Sequence, residues 1–93
     1  MENHFNCIYM YINKVNGKRY VGKAKDFIER HKRHLKGKLL IDKKLREYGE
    51  ENFEIVILEE NVETDLQLGQ LEDFYITKYD KSIFHLIKCY TIA

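Results

Sequence analysis

The stretch CIYMYINKVNGKRYVG, residues 7–22, constrains this chain more than any other part of it. Two short runs rich in aromatic and β-branched residues flank an Asn16-Gly17 pair, which suits a two-residue type I′ turn. A β-hairpin is therefore predicted over Phe5 to Asn13 and Arg19 to Gly22. Side chains alternate across a strand, so Cys7, Tyr9 and Tyr11 share one face while Ile8, Met10 and Ile12 share the other. The aliphatic face is the expected core face. Tyr9 and Tyr11 are then expected to look onto a more polar space.

Downstream of the hairpin the periodicity changes. Asp26 followed by Glu29 has capping-box spacing, and DFIERHKRHL continues at helical period, predicting a helix from about Asp26 to Lys36. Projected at 100° per residue, Phe27, Arg30, His31 and His34 fall on one side of it. Gly37 interrupts, and LLIDKKLREYG reads as a second helix with Ile41, Leu45 and Tyr48 on one face and Gly49 as its cap. NFEIVILEE has the unbroken apolar run of a strand in the middle of a sheet. A third helix is predicted from about Glu63 to Lys78, with Leu68, Leu71, Tyr75 and Tyr79 in its apolar stripe. The tail SIFHLIKCYTIA is apolar enough to pack back as a short C-terminal strand. The expected fold is α+β: a small three-stranded antiparallel sheet flanked by helices, in the order β-β-α-α-β-α.

Ninety-three residues suit one domain, spanning 1–93, and leave little room for a second. No stretch resembles a signal peptide or a membrane-spanning helix, so a cytoplasmic protein without membrane association is expected. The two cysteines, Cys7 and Cys89, are far apart and lack metal-type spacing. His31 and His34 could converge on zinc, but no matching cysteine pair accompanies them.

The formal net charge of +1 conceals a separation along the chain. Residues 14–46 hold 13 Lys and Arg against 3 acids, a net of +10, and residues 47–80 hold 1 Lys against 11 acids, a net of −10. One face built to meet a polyanion would explain this, with nucleic acid the first candidate; two solvated faces would explain it too. Glu72 adds a more specific signal. It falls inside the apolar stripe of the third helix, where a carboxylate must be protonated, bound to a metal ion, paired with a partner such as Arg30 or a lysine, or reach solvent from the stripe edge. Arg30 and His34 stack one turn apart on the first helix. With the tyrosines these residues offer a cation for phosphate, a carboxylate for a divalent ion and phenols that exchange protons, a set that suits phosphodiester hydrolysis.

The same residues carry a resemblance to the GIY-YIG nucleases. Cys7-Ile8-Tyr9 stands where the first tripeptide belongs, and Tyr20-Val21-Gly22 where the second belongs. KDFIERHKRH then brings Arg30 and His34 to the family's arginine and its frequent histidine, KLREYGEENFEIVILEE is similar to phage and intron-type homing endonucleases, and Glu72 in LGQLEDFYI matches the metal-binding glutamate. Cys7 replaces the glycine of the first tripeptide, Lys23 follows Gly22 where a small or polar residue is common, and Thr91 stands where the homing type often has asparagine.

The resemblance implies a divalent-metal-dependent DNA endonuclease that nicks one strand per active site. Tyr9 would take the proton of the attacking water, Tyr20 would position that water, Arg30 would hold the scissile phosphate, and His34 would assist. Glu72 would ligate a single Mg²⁺ or Mn²⁺. Tyr11 would line or pack against the same cleft. Lys14, Lys18, Arg19, Lys23, Lys25 and Arg33, within the basic stretch, are the candidates for DNA contact. Surrounding cations are expected to lower the pKa of Tyr9 from its ordinary value of about 10. Homing-type relatives carry a separate DNA-recognition region, so a further domain or a partner protein is implied. The competing class is a nucleic-acid-binding module without catalysis, and a blander one is a protein-interaction domain using both charged faces.

Overall fold

A computed structural model of the chain describes residues 2–80. The elements follow the expected order: β1 Phe5–Asn13, β2 Arg19–Asp26, α1 Phe27–His34, α2 Leu40–Tyr48, a 3₁₀ turn Glu50–Asn52, β3 Phe53–Glu59 and α3 Asp65–Asp80. The strands form one antiparallel sheet in the spatial order β2-β1-β3. The expected C-terminal strand falls outside the described residues. Among the described residues, no helix is long and apolar enough to cross a membrane.

The hairpin forms, but not through a two-residue type I′ turn. Asn13 N–H donates to the Lys18 carbonyl and Gly17 N–H to the Asn13 carbonyl, so the loop is longer, and of Asn16 and Gly17 only Gly17 takes a positive φ, 76°. The Asn13 side chain selects this geometry by accepting from Val15 N–H at 2.8 Å. Beyond the turn β2 continues four residues past Gly22, pairing as far as Phe5 with Asp26. Lys23 and Lys25 are exposed along this edge strand, where lysines also deter pairing with another sheet.

Helix ends have local causes. Asp26 Oδ1 caps α1 by accepting from Glu29 N–H at 3.1 Å, and the helix tightens after His34 into the turn at Gly37. Thr64 Oγ1 accepts from Gln67 N–H at 3.1 Å, which starts α3 at Asp65 rather than at Glu63.

Packing departs from the sequence reading in two respects. The tyrosine face is not polar: Cys7, Tyr9, Tyr11, Tyr20 and Ala24 join Phe27 of α1, Ile41 and Leu45 of α2 and Phe53 of β3 in the larger core. The aliphatic face, Ile8, Met10 and Val21, packs against Leu68 of α3 in a smaller one. With two cores, helices cover both sides of the sheet. The second departure is β3, which among the described residues lies at an edge of the sheet, not in the middle. Its unbroken run still follows from coverage on both faces, because Ile55 and Ile57 pack toward the tyrosine core while Val56 and Leu58 pack toward α3.

Candidate active site

Three buried phenols, a half-buried guanidinium and two imidazoles meet between the tyrosine face and α1. Tyr9 and Tyr11 are wholly inaccessible and Tyr20 nearly so. Aromatic side chains are used here because each fills the core and also presents a polar tip that needs a partner. The Tyr11 hydroxyl lies 2.6 Å from His31 Nδ1, and the Tyr9 hydroxyl lies 2.7 Å from His34 Nε2. Arg30 lies near enough to Tyr9 and Tyr20 that its charge couples to both phenols.

Gly22 makes this arrangement feasible. It pairs across the ladder with Tyr9, and a Cβ there would stand 2.5 Å from Tyr9 Oη and 2.8 Å from Tyr20 Cε2. Only a residue without a side chain lets both rings cross the strand at that point. Cys7, in contrast, fits as a buried packing thiol, its pKa pushed up to about 11 chiefly by burial.

The electrostatics correct one expectation. Burial pushes the Tyr9 phenol well above the usual tyrosine range, the neighbouring phenols Tyr20 and Tyr11 push it further, and Arg30 opposes them without prevailing. Tyr20 is also raised by burial, against Arg30 and its hydrogen bond to Tyr9. Burial works against the Arg30 charge, yet the phenols Tyr9 and Tyr20 raise its pKa. A phenol in this position is a weak acid, so losing its proton requires an acceptor close by.

Such an acceptor is present. His34 Nδ1 is 2.6 Å from Asp42 Oδ1, and a carboxylate only accepts, so the ring proton belongs on Nδ1. Nε2 is then free to accept from Tyr9. Burial lowers the His34 pKa, Arg30 and His31 lower it further, and Asp42 opposes this through its hydrogen bond and charge, so the ring is held neutral at pH 7. Sequence reasoning treated α2 as purely structural and missed Asp42. The signal was available: Asp42 is buried beside Ile41 and Leu45, a carboxylate on an apolar helical face like the one noticed at Glu72.

Glu72 reaches the site from the other side of the sheet. The Glu72 charge raises the Tyr20 pKa and the Arg30 charge lowers that of Glu72, so the two sides are electrostatically coupled. Burial raises the Glu72 pKa and Asp73 adds to this, while Lys23 and Arg30 lower it. Among the described residues no three His, Cys, Asp or Glu side chains converge into a metal cage. The half-buried Glu72 carboxylate is nonetheless a fit donor for a hard divalent ion that keeps several waters and takes a substrate phosphate oxygen. His34 has both ring nitrogens engaged, Nε2 by Tyr9 and Nδ1 by Asp42, so it offers no free nitrogen to the zinc alternative.

A cleft of about 540 Å³ opens alongside, walled by Lys23 and Lys25 of β2, Arg30 and Arg33 of α1 and Leu68 of α3. A smaller hollow of about 300 Å³ adjoins it, shares Lys23 and Asp65, and contains Glu72. Arg33 pairs with Glu29 at 2.6 Å and Lys25 with Asp65 at 3.6 Å, both exposed pairs of little strength that a phosphate could displace. The remaining candidate cations lie elsewhere. Lys14 and Lys18 sit at the hairpin tip, and Arg19 lies over the Tyr79 ring at 5.0 Å.

The family model for the GIY-YIG catalytic domain matches residues 5–85. The chain belongs to the GIY-YIG family. It is 33% identical over 81 residues to a protein of Neurospora crassa named probable intron-encoded endonuclease 1. That match covers 78% of this chain but only 27% of the relative's length. The catalytic domain of the homing endonuclease I-TevI superposes with a TM-score of 0.67 at 31% identity, covering 94% of this chain and 97% of that one. A mutant of that domain gives a TM-score of 0.66 at 32% identity, covering 82% and 84%. The GIY-YIG fold thus extends through β1–α3 as expected.

Proposed function

We propose that this GIY-YIG domain is a divalent-metal-dependent DNA endonuclease that hydrolyses one phosphodiester bond per active site. The observation that carries this reading is that Arg30, electrostatically coupled to Tyr9 and Tyr20, stands in the wall of a cleft where Lys23, Lys25 and Arg33 also lie, among the carboxylates Asp26, Glu29 and Asp65. An arginine so placed can hold a phosphate against two phenols, which is the geometry water attack on phosphorus requires.

In this reading Arg30 binds the scissile phosphate and stabilises the charge that builds on it. Tyr9 accepts the proton of the attacking water, Tyr20 orients that water, and His34 assists Tyr9. Glu72 would hold the ion, Mg²⁺ or Mn²⁺, which when bound neutralises phosphate charge and stabilises the leaving oxygen. Lys25 and Arg33 line the track along which flanking phosphates would lie, with Lys23 between that track and Glu72. Lys14, Lys18 and Arg19 would contact DNA only where it extends beyond the cleft. The length of the Neurospora relative supports a separate recognition region or a partner protein that supplies the target sequence.

Nicking of supercoiled plasmid with and without Mg²⁺ tests the proposal. Wild-type protein should convert supercoiled to open-circular DNA only with the ion, and Arg30→Ala and Glu72→Ala should not. Binding without such cleavage would favour the non-catalytic nucleic-acid-binding module.

A further inference from the structure

We infer that Asp42 is a positioning residue of the nuclease site, which fixes the His34 ring so that its Nε2 takes the proton of Tyr9. The inference rests on the assignment of Tyr9 as the base and adds what that base needs. His34 Nδ1 lies 2.6 Å from Asp42 Oδ1, and His34 Nε2 lies 2.7 Å from the Tyr9 hydroxyl, so carboxylate, imidazole and phenol form one chain. All three are enclosed, Tyr9 being 0%, His34 2% and Asp42 3% exposed. The carboxylate is held at both oxygens, because Oδ2 accepts from Leu39 N–H at 2.9 Å. It is also crowded from behind: a Cβ on Gly37 would collide with it. The start of α2 therefore dictates where Asp42 points, and Asp42 dictates which imidazole nitrogen carries the proton.

The step is a proton transfer. The Oη–H bond of Tyr9 breaks and an Nε2–H bond forms on His34, giving phenolate and imidazolium with no change of oxidation state. Tyr9 then removes a proton from water as the water oxygen bonds to phosphorus. The leaving oxygen departs with the electron pair of its P–O bond and is protonated from solvent. His34 returns its proton to solvent at the end of the turnover, which balances the cycle. Asp42 stabilises the imidazolium in between, in surroundings too dry for water to do so.

The groups facing His34 are Asp42 from α2, Arg30 and His31 from α1, Tyr9 and Tyr11 from β1 and Tyr20 from β2. Of these only Asp42 favours the charged ring by both hydrogen bond and charge. Activity requires His34 neutral, so the nicking rate should rise with pH through the His34 pKa. Replacing the carboxylate should move that limb to lower pH and reduce the plateau.

The test uses the full chain with Mg²⁺ and supercoiled plasmid, over a pH series, for wild type, Asp42→Asn and Tyr9→Phe, with ¹⁵N NMR of the His34 ring. In the wild type the proton should sit on Nδ1. Asp42→Asn should lower the plateau rate by at least about tenfold, within the range of lost acid–base assistance, and shift the acid limb downward. A role confined to anchoring α2 would leave the limb in place. The wild-type ring spectrum needs no variant, so a proton found on Nε2 overturns the inference even if Asp42→Asn fails to fold. An unchanged rate and limb in Asp42→Asn, with Tyr9→Phe inactive, overturns the inference and leaves the Tyr9 assignment standing. Normal nicking by Tyr9→Phe overturns that assignment and the inference with it.

Discussion

The hydroxyl of Tyr9 occupies the space where Gly22 would carry a side chain, 2.5 Å from the position of a Cβ. The two residues face each other across the β1–β2 ladder, so the contact cannot relax by a rotamer change at residue 22. Gly22→Ala should displace the Tyr9 and Tyr20 rings together and pull Tyr9 from His34. A loss of roughly 1–3 kcal/mol is expected from overpacking. Nicking should fall further than stability would explain. Urea titration and a plasmid assay on the same preparation check this, and wild-type cleavage by Gly22→Ala would contradict the packing.

Tyr11 has the same burial as Tyr9 but a different partner, and the contrast separates structure from chemistry. Its hydroxyl bonds His31 Nδ1 at 2.6 Å, while among the described residues His31 Nε2 has no hydrogen-bond partner and Glu50 Oε1 stands 3.6 Å away. The Tyr9 hydroxyl instead meets His34, whose other ring nitrogen is held by Asp42. Tyr11→Phe should leave His31 Nδ1 unsatisfied and cost about 1–3 kcal/mol. Nicking at a temperature where the variant stays folded should remain within a few-fold of wild type.

These contrasts bear on what was legible in the chain. Local signals located the hairpin, the three helices and β3, because Asn-Gly, Asp26, Gly37 and Gly49 act on their immediate neighbours. Non-local packing was less visible. Period-two alternation separates Tyr9 and Tyr11 from Ile8 and Met10 but does not reveal that helices cover both faces, and so the tyrosine face was expected to be polar when it holds the larger core. The same blindness hid the strength of burial at Tyr9, where cations counted along the sequence were expected to lower the phenol's pKa. Asp42 was missed because its partner His34 is eight residues away across a helix break, a distance that no single periodicity connects.

The neutral state of His34 has a consequence for stability. Its folded pKa is depressed by burial, so below its unfolded value of about 6.5 the unfolded chain binds more protons than the native one. Stability from this group is therefore full above that pH and is lost as the pH falls below it toward the depressed native value. Thermal melts at pH 7.5, 6.5 and 5.5 should show Tm falling over the lower interval, with a shallower fall in His34→Gln. A Tm that rises as the pH drops would contradict the assignment.

Glu72 offers a separation of binding from chemistry. In the proposed role its carboxylate would hold the ion in an open hollow that Lys23 also lines, and among the described residues no cluster of three ligands supports it, so ion affinity without DNA should be weak. Titration calorimetry with Mg²⁺ alone should give little heat for wild type. Glu72→Gln keeps the shape and removes the charge; it should lose ion-dependent nicking while holding plasmid DNA as tightly as wild type or more so.

The cleft cations should be distinguishable from those at the hairpin tip by their salt dependence. Lys25 and Arg33 wall the 540 Å³ cleft and are held there by Asp65 and Glu29, whereas Lys14 and Lys18 lie beyond the strand ends. A side chain that neutralises a DNA phosphate contributes about 0.9 to the slope of log K against log salt. Lys25→Ala and Arg33→Ala should each reduce that slope by about this amount on a short duplex spanning only the cleft. Lys14→Ala and Lys18→Ala should leave it unchanged on the short duplex and reduce it only on a longer one. Fluorescence anisotropy over a salt series reads both slopes, and an effect of Lys14→Ala on the short duplex equal to that of Arg33→Ala would place the DNA along the hairpin rather than in the cleft.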